Sequence, residues 1–486
     1  MNRREFLQRA GLTLGAAALA GCQSGKVSLS LPGGRRPNVV FLLADQWRAQ
    51  ATGFAGDPNA VTPNLDRLAS HSVRFTTAVS CCPVCSPYRA SLITGRYPLS
   101  HGVFLNDVTL STDAVSIAQA FGAAGYDTAY IGKWHLDGHG RSAFIPADRR
   151  QGFEYWKVLE CTHDYNRSYY YADLPEKLQW PGFDAIAQTQ DACAYIRTHG
   201  RDKPFMLILS WGPPHDPYQT APQRFRERFD PATIQLRPNV PVESAAKART
   251  DLAGYYAHIA ALDECVGQVL DTLDKTGRAK DTLLVFTSDH GDMLGSHSMT
   301  HKQKPYDESI LVPLLVRLPS SMSTTVARIE TPINTPDLMP TLLGLCGISI
   351  PKTVEGSDFS ALLLEGKSFD NEAALIECPS PFGQWERRNG GREYRGIRTH
   401  RYTFVRDLQG PWLLFDNQND PYQMDNLVNR PAFAGLQRRL EQLLAAKLQQ
   451  TGDEFLPGLD YIRRWNWTVD DNGTVPYWLK DPGTSS

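Results

Sequence analysis

The densest run of reactive residues in the chain is Cys81-Cys82-Pro83-Val84-Cys85-Ser86-Pro87-Tyr88-Arg89. Cys82 and Cys85 stand at the C-x-x-C spacing of a redox pair. The same spacing is half of a zinc site, but the chain has no second C-x-x-C to complete it. A third reading takes Cys85 to Arg89 as one motif, continued by Ala90-Ser91-Leu92-Ile93-Thr94-Gly95-Arg96. Two polar pairs offer a different chemistry. Asp45-Gln46 and Asp289-His290 each follow an apolar run. Two carboxylates, an amide oxygen and an imidazole can close around one divalent cation. The oxygens suit calcium or magnesium, and the imidazole leaves manganese or zinc open. Either pair alone reads as a solvated turn or a helix cap. The two together point to a metal.

Such residues need a rigid frame. Residues 38–44 (Asn-Val-Val-Phe-Leu-Leu-Ala) form an unbroken apolar run, the mark of a strand buried on both faces. Residues 127–131, 205–210, 282–287 and 312–316 read the same way. Between them, 115–124 and 253–276 have helical character, the latter with Ile259, Leu262, Val266 and Leu270 at helix spacing. The Pro-rich stretch 237–242 is a loop. The alternation predicts an α/β fold with a large, mostly parallel sheet sandwiched by helices. In such sheets function gathers at the carboxyl ends of the strands, where both polar pairs fall. After about residue 370 the pattern changes. Short strands at 373–377, 394–399, 402–406 and 412–415 read as an antiparallel meander, with a helix at 432–448 on one face. The expected division is a catalytic domain at 37–370 and a smaller C-terminal α+β domain at 371–486.

The motif from Cys85 to Arg96 resembles the signature of the type I sulfatases, formylglycine-dependent members of the alkaline-phosphatase-like superfamily. Gly132-Lys133-Trp134-His135-Leu136 looks like their second signature. Pro213-Pro214-His215-Asp216-Pro217 and Thr287-Ser288-Asp289-His290-Gly291-Asp292 match two further family segments, and Lys302 matches the active-site lysine. These motifs run in family order from residue 37 to about 317. The resemblance implies that a maturation enzyme oxidises Cys85 to formylglycine, whose hydrate is a gem-diol. One oxygen binds the metal, expected to be calcium with magnesium or manganese as alternatives, and attacks sulfur. Asp45, Gln46, residue 85, Asp289 and His290 would be the ligands. Arg89, Lys133 and Lys302 would supply positive charge, and His215 with Lys302 would protonate the leaving oxygen. His135 would then deprotonate the second hydroxyl, which expels sulfate and restores the aldehyde. Ser86 is a neighbour in the motif, not the nucleophile. The chemistry suits a sulfate ester, which repels anions and has a poor leaving group.

One departure is Gln46, where many family members have a second Asp. The set Asp-Gln with Asp-His looks like the branch that includes choline sulfatases and phosphonate monoester hydrolases. A phosphonate or phosphodiester substrate is therefore the alternative enzyme reading, and a glycan-binding lipoprotein that is never matured is the non-enzymatic one. For substrate contacts, Arg387, Arg388, Arg392 and Arg395 cluster near Trp385, followed by Trp412, Trp465, Trp467 and Trp478. Arg392 and Arg395 are candidates to grip anionic groups. The tryptophans either stack on sugars or seal the smaller domain against the larger. His101 either lines the pocket or serves as a core or capping histidine. The expected substrate is a sulfated saccharide.

The N-terminus reads as an address. Arg3-Arg4-Glu5-Phe6-Leu7 precedes a short apolar stretch and Leu19-Ala20-Gly21-Cys22. That stretch falls short of the roughly 20 apolar residues a membrane span requires, so residues 1–22 read as a signal peptide. The paired arginines resemble a twin-arginine export signal, and Cys22 resembles a lipidated first mature residue, followed by a tether at 23–36. The expectation is export to the periplasm or cell envelope, with membrane contact only through a lipid anchor. A formal charge of -2, from 50 Lys+Arg and 52 Asp+Glu, supplies no global field for nucleic acid. Nine cysteines, an odd number, make a poor disulfide framework.

Overall fold

Strand β1, Asn38–Asp45, is buried along its whole length. Val39, Phe41 and Leu43 join one apolar cluster, while Val40, Leu42 and Ala44 join another on the opposite face. Alternation between two covered faces is what turns a strand into an unbroken apolar run. The computed structural model describes residues 31, 34–322 and 324–479. The signal expected at 1–22, with Cys22, and most of the tether lie outside the described residues.

Seven more strands complete the large sheet: β2 Val73–Phe75, β3 Asp127–Lys133, β4 Tyr155–Leu159, β5 Phe205–Pro214, β6 Thr282–Ser288, β7 Leu314–Arg317 and β8 Arg328–Ile329. Their order is β8-β2-β7-β6-β1-β5-β3-β4. Pairing is parallel from β6 through β1, β5 and β3 to β4. Strand β7 runs antiparallel to both its neighbours, so the run expected at 312–316 forms a strand shifted toward its C-terminal end and reversed. Helices α1 Cys85–Thr94, α2 Ile117–Ala123, α3 Asp184–Thr198 and α4 Ala245–Lys275 cover the two faces. Helix α2 starts later than residue 115 because Ser116 caps it. Its hydroxyl accepts from the Gln119 backbone at 3.0 Å, and the Gln119 side chain accepts from the Ser116 backbone at 2.9 Å. Helix α4 starts at Ala245 rather than 253. Its first turns carry Lys247, Arg249 and Asp251, which weaken the apolar signal although Ala248 and Leu252 are buried.

The second sheet is a meander of β9 Ala373–Cys378, β10 Tyr394–Thr399, β11 Tyr402–Asp407 and β12 Gly410–Asp416, antiparallel throughout. One face packs Leu375, Ile397, Phe404 and Leu414 against Leu440 and Leu444 of α5, Ala434–Thr451. The other face places Ile376, Val405 and Phe415 with Met293, Tyr306 and Ile310, which lie in the segment between β6 and β7. Polar contacts pin the same segment. Arg398 grips both oxygens of Asp307 at 2.9 Å, and the Tyr394 hydroxyl donates to the Gln303 carbonyl at 3.0 Å. Tyr461, Ile462 and Val475 return to the apolar cluster on the α1 face of the large sheet.

The four neighbouring parallel strands β6, β1, β5 and β3 lead at their carboxyl ends to Asp289, Asp45, His215 and Lys133. Removing Arg398 would leave Asp307 buried without its partner, a change that costs about 3–5 kcal/mol. Arg398→Ala should therefore lower the unfolding free energy measured in urea by that margin, and the midpoint with it. An unchanged midpoint would show that the second sheet does not brace the segment between β6 and β7.

Candidate active site

Cys85 is the first residue of α1, and all ten residues of that helix are buried. Its Sγ lies 3.3 Å from His290 Nε2, 3.5 Å from Lys302 Nζ and 3.6 Å from Asp45 Oδ1. Burial pushes the thiol up, but Lys133, Lys302 and His290 outweigh it and hold Cys85 well below the ordinary cysteine range. Its neighbours behave in the opposite way. Burial raises Cys81 to about 12 and Cys82 well above the usual range, with Glu377 adding to both. All eight cysteines among the described residues are free thiols. The redox pairing of Cys82 with Cys85 is not formed, and at Cys82 burial and Glu377 outweigh Arg395.

Arg89, one helical turn after Cys85, joins the two carboxylates. Its Nη2 donates to Asp45 Oδ2 and to Asp289 Oδ2, each at 3.1 Å. Its Nη1 is held by the Lys133 carbonyl at 2.8 Å and Ser210 Oγ at 2.7 Å. Lys133, at the end of β3, donates to Asp45 Oδ2 at 2.6 Å. Burial works against ionising either acid. At Asp45 the Cys85 thiolate adds to that penalty, but Lys133, His215 and Arg89 win and hold the carboxyl well below its ordinary range. At Asp289 burial and the Asp45 charge win and push it up to about 6. Gln46 follows β1 with a left-handed backbone, φ 67°. Its Nε2 donates to Asp292 Oδ2 at 2.6 Å, which turns Oε1 toward Lys302 Nζ at 2.9 Å. His290 Nδ1 lies 3.0 Å from the Gly291 carbonyl, which suits an Nδ1–H donor and turns Nε2 toward the Cys85 thiol.

One ligand atom each from Asp45, Cys85, Asp289 and His290 falls within 4.8 Å of the others, all buried. Two acids, one raised by the other, beside an oriented imidazole and an amide oxygen form a donor set that fits a divalent cation.

Two histidines flank the thiol. His135 has a left-handed backbone, φ 61°, and its Nε2 meets Asp107 Oδ1 at 3.1 Å. Burial lowers its affinity for a proton, yet Cys161 and Asp107 outweigh that and raise it to about 9. Asp107 is itself clamped by Arg141, with Nε and Nη2 each at 2.8 Å. Glu160 steadies the loop, accepting from the backbones of Leu136, Asp137 and Gly138 at 3.2, 2.7 and 2.9 Å. On the other side, His215 Nε2 lies 2.5 Å from Lys302 Nζ. Burial and the lysine charge hold His215 below the ordinary histidine range, and the His163 ring stacks on it at 4.9 Å. The structure thus brings together Cys85, Arg89, Lys133, His135, His215, Lys302 and both polar pairs. The reading by motif had assigned no role to Asp107, Arg141, Glu160, Asp292, Cys161 or His163. Asp107 follows Asn106, whose side chain accepts from the Ser86 backbone at 3.0 Å, but no spacing in the sequence marks it.

Two expected substrate contacts, His101 and Arg395, are corrected. His101 is buried, with Nδ1 accepting from the Val103 backbone at 3.1 Å and Nε2 paired to Ser91 Oγ at 3.0 Å. Burial lowers it to about 3, so it is a neutral core histidine rather than a pocket residue. Arg395 is fully buried and committed to Asp453, Glu377 and the Tyr394 carbonyl. It cannot reach a saccharide. Arg392 is half-exposed, but Asp407 holds it at 2.8 Å and Trp412 lies under it at 4.5 Å. Trp465 and Trp467 stack on each other at 6.4 Å, and the Trp467 indole donates to the Gly102 carbonyl at 2.9 Å. They seal the C-terminal segment against the large domain. Trp478 is exposed.

A family model described as sulfatase matches residues 37–348, and one described as the N-sulphoglucosamine sulphohydrolase C-terminal region matches residues 295–450. An ulvan-active sulfatase from Formosa agariphila is 45% identical over 451 residues, 91% of this chain and 87% of its own. A structure from Bacteroides thetaiotaomicron, described under its metabolism of multiple glycosaminoglycans, superposes with a TM-score of 0.78 at 29% identity, covering 91% of this chain and 100% of its own. The phosphonate monoester hydrolase of Agrobacterium radiobacter gives 0.70 at 25% identity, over 85% and 96%.

The clamp on His135 has a measurable consequence. An adjacent carboxylate favours the imidazolium, so removing its charge lowers the histidine's affinity for a proton. Asp107→Asn should move the limb of the pH–rate profile that reports His135 to lower pH by about 1 unit or more. A limb that stays in place in kcat/KM against pH would show that Asp107 does not set this histidine.

Proposed function

The chain belongs to the sulfatase family of sulfuric ester hydrolases, and we propose that it desulfates anionic saccharides at the site built around Cys85. The observation that carries this reading is a single buried thiol at a helix start, set between two acids with an oriented imidazole and three cations, Arg89, Lys133 and Lys302. Asp45, Gln46, Asp289 and His290 would hold a divalent cation, calcium by their oxygen content, beside formylglycine made from Cys85; together these supply a strong oxygen nucleophile and positive charge on the sulfate.

The chain's own residues do the rest. Lys133 and Arg89 keep Asp45 ionised and place positive charge where an anionic ester must dock. Lys302 and His215 share one short contact, so a proton on that pair can pass to the leaving oxygen. His135, oriented by Asp107, serves as base in its neutral form, toward the alkaline side of its titration near 9. Ser86 is no competing nucleophile, because its hydroxyl donates to the His135 carbonyl at 2.7 Å. The saccharide assignment draws on the ulvan-active relative and on the glycosaminoglycan setting of the solved structure. Twin-arginine export, lipidation of Cys22, a place in the periplasm or envelope and a maturation enzyme complete the reading. No helix among the described residues is long and apolar enough to cross a membrane.

Two outcomes test this. The tryptic peptide containing residue 85, taken from active protein, should be lighter than its cysteine form, and Asp289→Ala should lose activity and bound metal together. Active enzyme with an unmodified thiol would reject the nucleophile. Second, kcat/KM for sulfated oligosaccharides should exceed that for phenyl phosphonates. The reverse order would move the chain to phosphonate hydrolysis, for which Gln46 and the Agrobacterium radiobacter fold are the supporting observations.

A further inference from the structure

Beyond the turn that carries Gln46, the chain lines a separate basin of about 650 Å³ that opens beside exposed Gly56 and Pro58. Arg48, Arg74, Arg237 and Arg328 border it, against a single lining acid, Asp57. Arg48 is 2% exposed, and its Nε is buried with no hydrogen-bond partner among the described residues. A buried donor on a charged group is costly to leave unmatched. The nearby acids Asp57 and Glu308 favour its charge, but neither hydrogen-bonds it and both hold other donors. Glu308 Oε1 accepts from Arg237 Nε at 3.0 Å and from Asn239 Nδ2 at 2.7 Å. Asp57 accepts from the Tyr256 hydroxyl at 2.6 Å and from the Asn59 backbone at 2.8 Å.

Strand register supplies a second, independent sign. Arg74 of β2 and Arg328 of β8 are direct partners in a parallel pair. Like charges side by side destabilise a sheet edge unless an anion relieves them. Glu330, 3.1 Å from Arg328, relieves only that member of the pair. On the same rim the Gln50 amide oxygen is buried and also lacks a partner among the described residues, so it suits a hydroxyl donor.

We propose that this basin is an anion-binding site for a small ligand whose sulfate or carboxylate oxygens meet Arg48 and Arg74. A free inorganic oxyanion and an acidic saccharide share that chemistry, and the saccharide adds a hydroxyl for Gln50. The site neither uses Cys85 nor depends on the substrate proposed above.

Crystals of the mature chain soaked in selenate should show an anomalous peak within hydrogen-bond reach of Arg48 Nε, alongside one near residue 85. A soak with a disaccharide bearing one carboxylate and one sulfate separates the sources. Displacement of the basin peak assigns the saccharide, and persistence assigns the inorganic anion. An empty basin while the site at residue 85 is filled overturns the proposal. In solution, Arg74→Gln should weaken the second of two sulfate-binding events seen by calorimetry roughly tenfold, the worth of one charge-assisted hydrogen bond. Turnover of a small aryl sulfate should not change. Unaltered sulfate affinity in that variant also overturns it.

Discussion

Two carboxylates that share one buried guanidinium set the terms for everything else at this site. Asp45 and Asp289 both press on Arg89 Nη2, and neither reaches bulk water. In a medium of low polarizability two such acids cannot both stay ionised without cations. The structure answers with Arg89, Lys133 and Lys302 around the same volume. The divergence of the two acids, one far below its ordinary range and one raised to about 6, is the mark of a pocket built to receive further positive charge. The same field keeps the Cys85 thiol acidic. An anionic ester entering here meets charge already fixed in place, with little reorganisation left to perform.

The sheet explains why that balance is attainable. Three of the groups sit at or just past the ends of strands in one parallel block, Asp289 after β6, Asp45 on β1 and Lys133 on β3 beyond β5. Their backbones are held by ladder hydrogen bonds, so their side chains converge without long loops. Lys302 is the exception, since its segment has no strand of its own. The second sheet takes over that task through Arg398 on Asp307 and Tyr394 on Gln303. The smaller sheet is thus part of the frame that positions Lys302, whatever else its outer surface does.

Much of this could be read from the residues, and what could not follows a pattern. Apolar runs such as 38–44 were readable because both faces of the strand are covered. Motif residues were readable because their spacing is local, as with Cys85 and Arg89 one turn apart on α1. Asp107 and Arg141 were not, because their partnership with His135 is a meeting of distant segments that leaves no periodic trace. Arg395 misled for a related reason. A cluster of arginines near tryptophan suggests a sugar-gripping loop, yet β10 pairing turns this side chain inward, where Asp453 was the unseen partner. The same limit hid the reversal of β7, since burial on two faces reads alike in either strand direction.

The burial of α1 also dictates an order of events in time. Cys85 is 1% exposed, and its helix is packed on every side. A second protein cannot close its own catalytic groups around that sulfur once the helix has docked. Any enzyme that alters Cys85 must therefore reach it before the core closes around the helix. An order is thereby written into the packing of ten residues: any chemistry by a second enzyme at the sulfur comes first, and collapse of the core around it second.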